Sequence, residues 1–285
     1  MKTTIAVILF CIFSAPLLRA QTAKSAFFKT SDGVRIHYLE AGSGRAIVFI
    51  PGWTMPAWIW QKQIDEFSRK YHVVAVDPRS QGQSDKPTFG HLPEIRARDY
   101  KELVDYLELK QPALVGWSMA CGELIKYVDQ FGTDNVAGVV LVDGYLGGRP
   151  LGESFSGIAA WVKDMQNDRQ VLTERFVGSM YEKKQSADYL KRVVDASMQT
   201  PNDTAAVLVY NALSTDLFSG AFSKINRPVL FAYQPQSRPS ADLLRSKLGE
   251  TVRLERFDGD GHALFVDNPE KFNRVLEQFV QGLAK

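Results

Sequence analysis

Five short apolar runs constrain this chain more than any other feature: Ala46–Ile50, Val73–Val76, Ala113–Val115, Val139–Val142 and Val229–Tyr233. Each is dominated by β-branched and other large apolar residues and has no polar face. A strand of this kind cannot present one side to water, so it is covered on both faces. Helical spacing fills the intervals. Tyr100, Leu103, Val104 and Leu107 mark one apolar stripe, and Leu124, Ile125 and Val128 mark a second that stops at Gly132. Asn268-Pro269 opens a third, with Phe272, Val275, Leu276, Phe279 and Val280 along one side. Strands alternating with helices build an α/β fold with a mostly parallel sheet and helices on both faces. Ala26–Thr30 and Val34–Glu40 flank Ser31-Asp32-Gly33 as a leading hairpin. Val252–Phe257 alternates more and belongs near a sheet edge.

One stretch breaks this rhythm. Between about Gly148 and Asn226 there is no strand pattern, while Ile158–Met165, Val171–Met180, Tyr189–Met198 and Ala205–Leu213 read as helices. The sheet pattern resumes directly afterwards. The expected organisation is a core of residues 21–147 and 227–285 with a helical cap, residues 148–226, inserted into it.

The first twenty residues stand apart. Lys2 precedes the apolar run Ile5–Phe13, too short to span a bilayer, and Ser14-Ala15-Pro16 leads to Ala20 before Gln21. This is the pattern of a secretory signal peptide cleaved after Ala20, which makes the protein exported, periplasmic or secreted, with no stable membrane insertion afterwards. Cleavage removes Cys11 and leaves Cys121 alone, so no intramolecular disulfide can form. With 34 Lys+Arg against 32 Asp+Glu, nothing in the charge balance calls for nucleic acid or a membrane surface as a partner.

The chemistry centres on Gly116-Trp117-Ser118-Met119-Ala120. A buried strand runs straight into a helix with a serine at the turn. Small residues two before and two after the serine let strand and helix approach, and the turn lifts the hydroxyl clear of the sheet. Such a serine needs a base. Of four histidines, His262 alone lies in a glycine-rich loop, Asp258-Gly259-Asp260-Gly261-His262, between the last strand and the last helix. Loops at the carboxyl ends of parallel strands are where ligands bind. An oxyanion hole needs two backbone N–H groups. Met119, after the serine, supplies one; Trp53, in Pro51-Gly52-Trp53-Thr54 after an early strand, supplies the other.

These pieces, with Asp77-Pro78-Arg79-Ser80-Gln81-Gly82-Gln83-Ser84 and Gly261-His262-Ala263-Leu264-Phe265-Val266-Asp267, resemble the α/β-hydrolase superfamily over nearly all of residues 21–285. The chain looks most like single-domain esterases and non-haem haloperoxidases, whose peroxidase-like activity is understood as perhydrolysis without a metal. Two positions depart from the usual pattern: Pro51 stands where a histidine often precedes the oxyanion glycine, and Ala120-Cys121 replaces the usual glycines. Ser118 sets the chain apart from haloalkane dehalogenases and epoxide hydrolases, which carry aspartate there. The resemblance puts the catalytic acid after the strand that follows the cap or at the end of the strand before it. The first position reads Tyr233-Gln234-Pro235-Gln236-Ser237-Arg238 and offers no acid before Asp242, expected to lie in the next helix. The second reads Val140-Leu141-Val142-Asp143, so Asp143 is the expected acid; Asp258 and Asp260 sit too close to His262 to turn back on its ring. Asp77 is read as an anchor for the loop Arg79–Ser84, and Cys121 as a small packed residue.

Trp53 and Trp117 are the expected substrate-binding aromatics, in an apolar acyl or aryl pocket with Met55 nearby, whereas Trp58 and Trp60 read as core. No cofactor is expected and no metal, since no ligand spacing, phosphate loop or dinucleotide fingerprint is present. The function these residues imply is hydrolysis of a small-molecule ester by Ser118, His262 and Asp143 through an acyl-enzyme. The alternatives are a lactonase, perhydrolase or C–C hydrolase with the same triad, or a catalytically silent ligand-binding relative.

Overall fold

The computed structural model describes residues 22–146, 151–214 and 220–283; the expected signal peptide, residues 1–20, lies outside them. The strands are β1 (Lys24–Lys29), β2 (Arg35–Ala41), β3 (Ala46–Ile50), β4 (His72–Val76), β5 (Ala113–Trp117), β6 (Gly138–Val142), β7 (Val229–Tyr233) and β8 (Val252–Arg256). They form one eight-stranded sheet in the order β1-β2-β4-β3-β5-β6-β7-β8. β2 pairs antiparallel with β1 and β4; from β4 through β8 every pairing is parallel. β3, β5, β6 and β7 are buried at every residue, as their unbroken apolar runs require, and the more alternating β8 is an edge.

The helices are α1 (Gln61–Phe67), α2 (Pro93–Tyr106), α3 (Met119–Phe131), α4 (Leu151–Asn167), α5 (Arg169–Ser179), α6 (Ala187–Met198), α7 (Asn202–Ser214), α8 (Arg238–Leu248), α9 (Leu264–Asp267) and α10 (Pro269–Gly282). Strand alternation divides the core in two. Ile47 and Phe49 pack with α1 and α10 on one face; Ala46, Val48 and Ile50 pack with α2, α3 and α8 on the other. Burying each large apolar side chain contributes roughly 1.5–3 kcal/mol, so this double layer holds the helices against the sheet. α10 shows the capping read from its sequence: the Asn268 side chain accepts from Lys271 N at 3.3 Å and Pro269 opens the helix.

α4–α7 lie between β6 and β7 in the chain, and each begins before the helical stretch read from spacing. They meet the core at a third cluster, where Trp53 packs with Met165, Leu172, Ala205 and Leu208. Because β3 and β5–β8 run parallel, Ile50, Trp117, Val142, Tyr233 and Arg256 all end their strands at one edge of the sheet. The loops that leave this edge carry the candidate site.

Candidate active site

Ser118 joins β5 to α3 with φ 58° and ψ −117°, a region that non-glycine residues enter only when the surroundings enforce it. Its amide donates to the Val142 carbonyl at 2.8 Å, and its carbonyl accepts from Cys121 N at 3.0 Å. The small neighbours have a steric reason. A Cβ on Gly116 would lie 2.9 Å from the Ala120 carbonyl oxygen and 2.8 Å from Leu124. Cys121 is buried, and burial pushes its thiol pKa up, so it stays protonated and donates to the Gly116 carbonyl at 3.2 Å. It packs as the sequence implies.

The His262 ring reaches Ser118 Oγ through Nε2 at 2.8 Å and Asp143 Oδ2 through Nδ1 at 2.7 Å. A carboxylate only accepts, so Nδ1 carries a proton and a neutral ring leaves Nε2 to accept the Ser118 hydroxyl. Asp143 follows β6 with φ 45°, and its side chain is 1% exposed. Its other oxygen accepts from Gln234 N at 3.0 Å. The rival acids lie elsewhere. Asp242 is exposed on α8 beside Arg238, Asp258 pairs with Arg256, and Asp260 pairs with Lys183 at 3.0 Å and accepts from Asn268 at 3.1 Å.

The loop bearing His262 is held from two sides. Asp267 accepts from Gly261 N at 2.8 Å and from Glu182 N at 2.7 Å, tying the loop to the connection between α5 and α6. Ala263 N donates to Met180 O at 2.8 Å, and a Cβ on Gly261 would strike that same carbonyl at 2.6 Å. Trp117 holds the other side. Its indole N–H donates to the His262 carbonyl at 2.9 Å, and its ring packs edge-on against Phe265. Trp117, the aromatic expected to bind substrate, is 1% exposed with its ring 5.2 Å from the His262 ring; strand alternation puts it on the same face as Val115, where it braces the histidine loop.

Gly52 passes so close to Ser118 that a Cβ there would sit 3.0 Å from the serine Cβ. Among the described residues, neither the Trp53 nor the Met119 amide has a hydrogen-bond partner. Gln81 fixes the Gly52 loop by donating to the carbonyls of Gly52 at 2.9 Å and Met55 at 2.8 Å. Arg96 in turn donates to Gln81 Oε1 at 2.8 Å and pairs with buried Glu123 on α3. One buried network therefore spans the two loops that carry those amides. The Trp53 side chain turns away from the core: its indole N–H donates to Ala205 O at 2.8 Å, and its ring lies edge-on to Trp161 and Phe176. It anchors the helical insert, a role its sequence position did not reveal. Trp60 is fully buried, whereas Trp58, read as core, is partly buried beneath Arg192.

The remaining histidines have partners of their own. His72 meets Glu40 at 2.7 Å, and His91 meets Ser80 Oγ at 2.9 Å. Burial, with Arg96 and Arg79 nearby, pushes the His91 pKa down to about 4. His37 bridges Asp77 Oδ2 at 2.7 Å and Ser25 Oγ at 2.8 Å, a second Ser-His-Asp chain not foreseen from spacing. Asp77 does anchor its loop: it accepts from Gln83 N at 2.8 Å, and from Ala57 N at 2.5 Å. Among the described residues no three His, Cys, Asp or Glu side chains gather as metal ligands would, and no helix is long and apolar enough to cross a membrane.

Known proteins resemble this chain in sequence and in fold. A non-heme chloroperoxidase from Streptomyces lividans is 30% identical over 274 residues, covering 89% of this chain and 98% of its own. An esterase from Exiguobacterium antarcticum has the same fold, with a TM-score of 0.83 at 24% identity, covering 91% of this chain and 100% of its own. A bromoperoxidase from Bacillus anthracis also reaches 0.83, at 22% identity, over 90% of this chain and 100% of its own. The match to the family described as "Alpha/beta hydrolase family" takes in residues 47–275, from β3 into α10, and by that extent the chain belongs to this family.

Proposed function

We propose that this α/β hydrolase is an exported serine esterase. Ser118 Oγ attacks the ester carbonyl while His262 Nε2 takes the hydroxyl proton, and Asp143 stabilises the imidazolium that forms. The carbonyl oxygen becomes an oxyanion, received by the Trp53 and Met119 amides. Collapse breaks the bond to the alkoxide, which leaves with the proton from His262. Water, deprotonated by His262, then hydrolyses the acyl-enzyme and restores the serine. The observation that carries this reading is the unbroken run of contacts from Ser118 Oγ through the His262 ring to Asp143 at 2.8 and 2.7 Å.

The part of the acyl or aryl group next to the carbonyl is apolar. Met119, next to the serine, packs against the cluster of Trp53, Met165, Leu172 and Leu208, which supports α4–α7 as a cap over the site. The chloroperoxidase relative favours a second use of the same acyl-enzyme, with hydrogen peroxide in place of water as the acceptor and a peracid as product. A fluorophosphonate probe and a panel of p-nitrophenyl esters test the reading. Labelling and hydrolysis should both vanish in Ser118→Ala; a folded wild-type protein that takes no label would leave a binding protein instead. Export rests on residues 1–20. It predicts that protein recovered from outside the cytoplasm begins at Gln21; full-length protein retained inside the cell would refute it.

A further inference from the structure

Arg169 opens α5, directly after its N-cap Asp168, and its guanidinium carbon lies 4.8 Å from the centre of the Trp53 ring. Only Nη2 has a hydrogen-bond acceptor, the Ser197 carbonyl at a long 3.4 Å; Nε and Nη1 are buried with no acceptor. No carboxylate pairs with it among the described residues. The hydroxyl of Thr200, whose own amide donates to the same Ser197 carbonyl, is buried and unsatisfied as well. Arg169 as a whole is half-buried, but two buried guanidinium donors without an acceptor are uncommon, because their desolvation is repaid only by an acceptor. Burial lowers the Arg169 pKa to about 10, so the group is still a cation at neutral pH.

The unsatisfied groups at this seam are mostly donors, so the missing partner is an acceptor. Nη2 has a second hydrogen, and with Nε it offers the planar edge that a carboxylate meets with two parallel bonds. The position matters because Trp53, on whose ring Arg169 stacks, belongs to the loop that touches Ser118. We propose that Arg169 binds a carboxylate at the seam between α5, α6 and the Trp53 loop, and so selects esters whose acyl part ends in an acid. The selection rests on the esterase reading; the carboxylate site does not. The same chemistry could be met by a free acid such as acetate, and the two sources are separable.

The test compares wild type with Arg169→Gln and Arg169→Lys on the length-matched pair p-nitrophenyl hydrogen adipate and p-nitrophenyl hexanoate. The glutamine variant should lose roughly ten- to hundred-fold in kcat/KM on the adipate, the effect of one charge-assisted contact. Hexanoate should change by less than about two-fold, a small shift for a group outside the reacting centre. The lysine variant should recover part of the adipate rate, and it replaces glutamine in the comparison if that variant does not fold. Acetate and adipate are also titrated in a thermal-shift assay. Stabilisation of wild type but not Arg169→Gln by acetate, with no adipate preference, would keep the site and assign it to a free acid. Equal losses on both esters together with no acid-dependent stabilisation would overturn the proposal. Fluorophosphonate labelling of Ser118 is read alongside: without it the esterase reading has failed, and the thermal-shift arm alone decides the site.

Discussion

Two Ser-His-Asp chains lie among the described residues, and their distances are the same. Ser118–His262–Asp143 is joined at 2.8 and 2.7 Å, and Ser25–His37–Asp77 at 2.8 and 2.7 Å. Everything around them differs. Ser118 stands on a strained turn at the carboxyl edge of the sheet, beside two amides that have no acceptor among the described residues. Ser25 lies within β1, opposite Leu39 in an ordinary antiparallel ladder. The His262 ring is 23% exposed, whereas His37 is 1% exposed. One Asp143 oxygen is given to the histidine and the other to a single amide, whereas Asp77 also clamps Ala57 and Gln83. A relay alone is a way to hold parts together. It becomes a means of catalysis when the serine is displayed and a charge developing on substrate oxygen has somewhere to go.

The sharpest way to break this distinction is to remove each serine. Ser118→Ala should lower kcat by about 10⁶-fold, the loss seen when a triad serine is removed, while Ser25→Ala should leave it unchanged. Mass-spectrometric mapping of a fluorophosphonate adduct to Ser25 would show that the second chain is reactive too. The acids should separate next. Asp143→Asn should cost up to about 10⁴-fold in kcat with the fold intact. Asp77→Asn should instead cost about 2–4 kcal/mol of unfolding free energy, measured by urea denaturation, because it weakens a buried hub. Met119→Pro deletes an amide that only the first chain has beside it. At least about 10² in kcat should go, with circular dichroism confirming the fold.

The smallest effect comes from the other buried imidazole, His91. His91 has its pKa depressed from 6.5 to about 4, so the folded state binds its proton more weakly than the unfolded chain. Its contribution to stability is therefore full above pH 6.5 and declines as the pH falls towards 4. His91→Asn should flatten the acid limb of a stability-against-pH curve and leave the pH profile of kcat/KM in place. A shifted activity profile would mean that the His91–Ser80 contact reaches the active site.

Much of the fold was legible because burial on both faces strips polarity from a strand, and β3, β5, β6 and β7 show that as unbroken apolar runs. The seven-residue α1 was not, since it offers barely two turns of periodicity. The turn at Ser118 was legible through the small residues it needs, and Asp143 through its place at the end of an apolar strand. The bracing of the histidine loop by Trp117 was not legible, because proximity in sequence to Ser118 does not say which face of β5 a side chain takes. Arg169 has no local signature at all: a cation at the start of a helix is ordinary until its surroundings are known. Asp267 and Gly261 appeared within one motif, but nothing in the motif tells that the pair clamps the insert to the histidine loop.

The sequence by itself determined which segments are strands, where the chain turns sharply enough to display a serine, and which histidine stands on the same rim. These are short-range matters, set by the pleat of a strand, the reach of a helix turn and the room that glycine leaves. Tertiary structure decided which groups meet. The strand order β3-β5-β6-β7-β8 brings Ser118 to a histidine 144 positions away, and that histidine to an aspartate 119 positions away. It likewise put Trp53 into the helical insert and left Arg169 beside it with two buried donors unpaired. Such pairings depend on the packing of whole layers against one another, and no local pattern of residues records them.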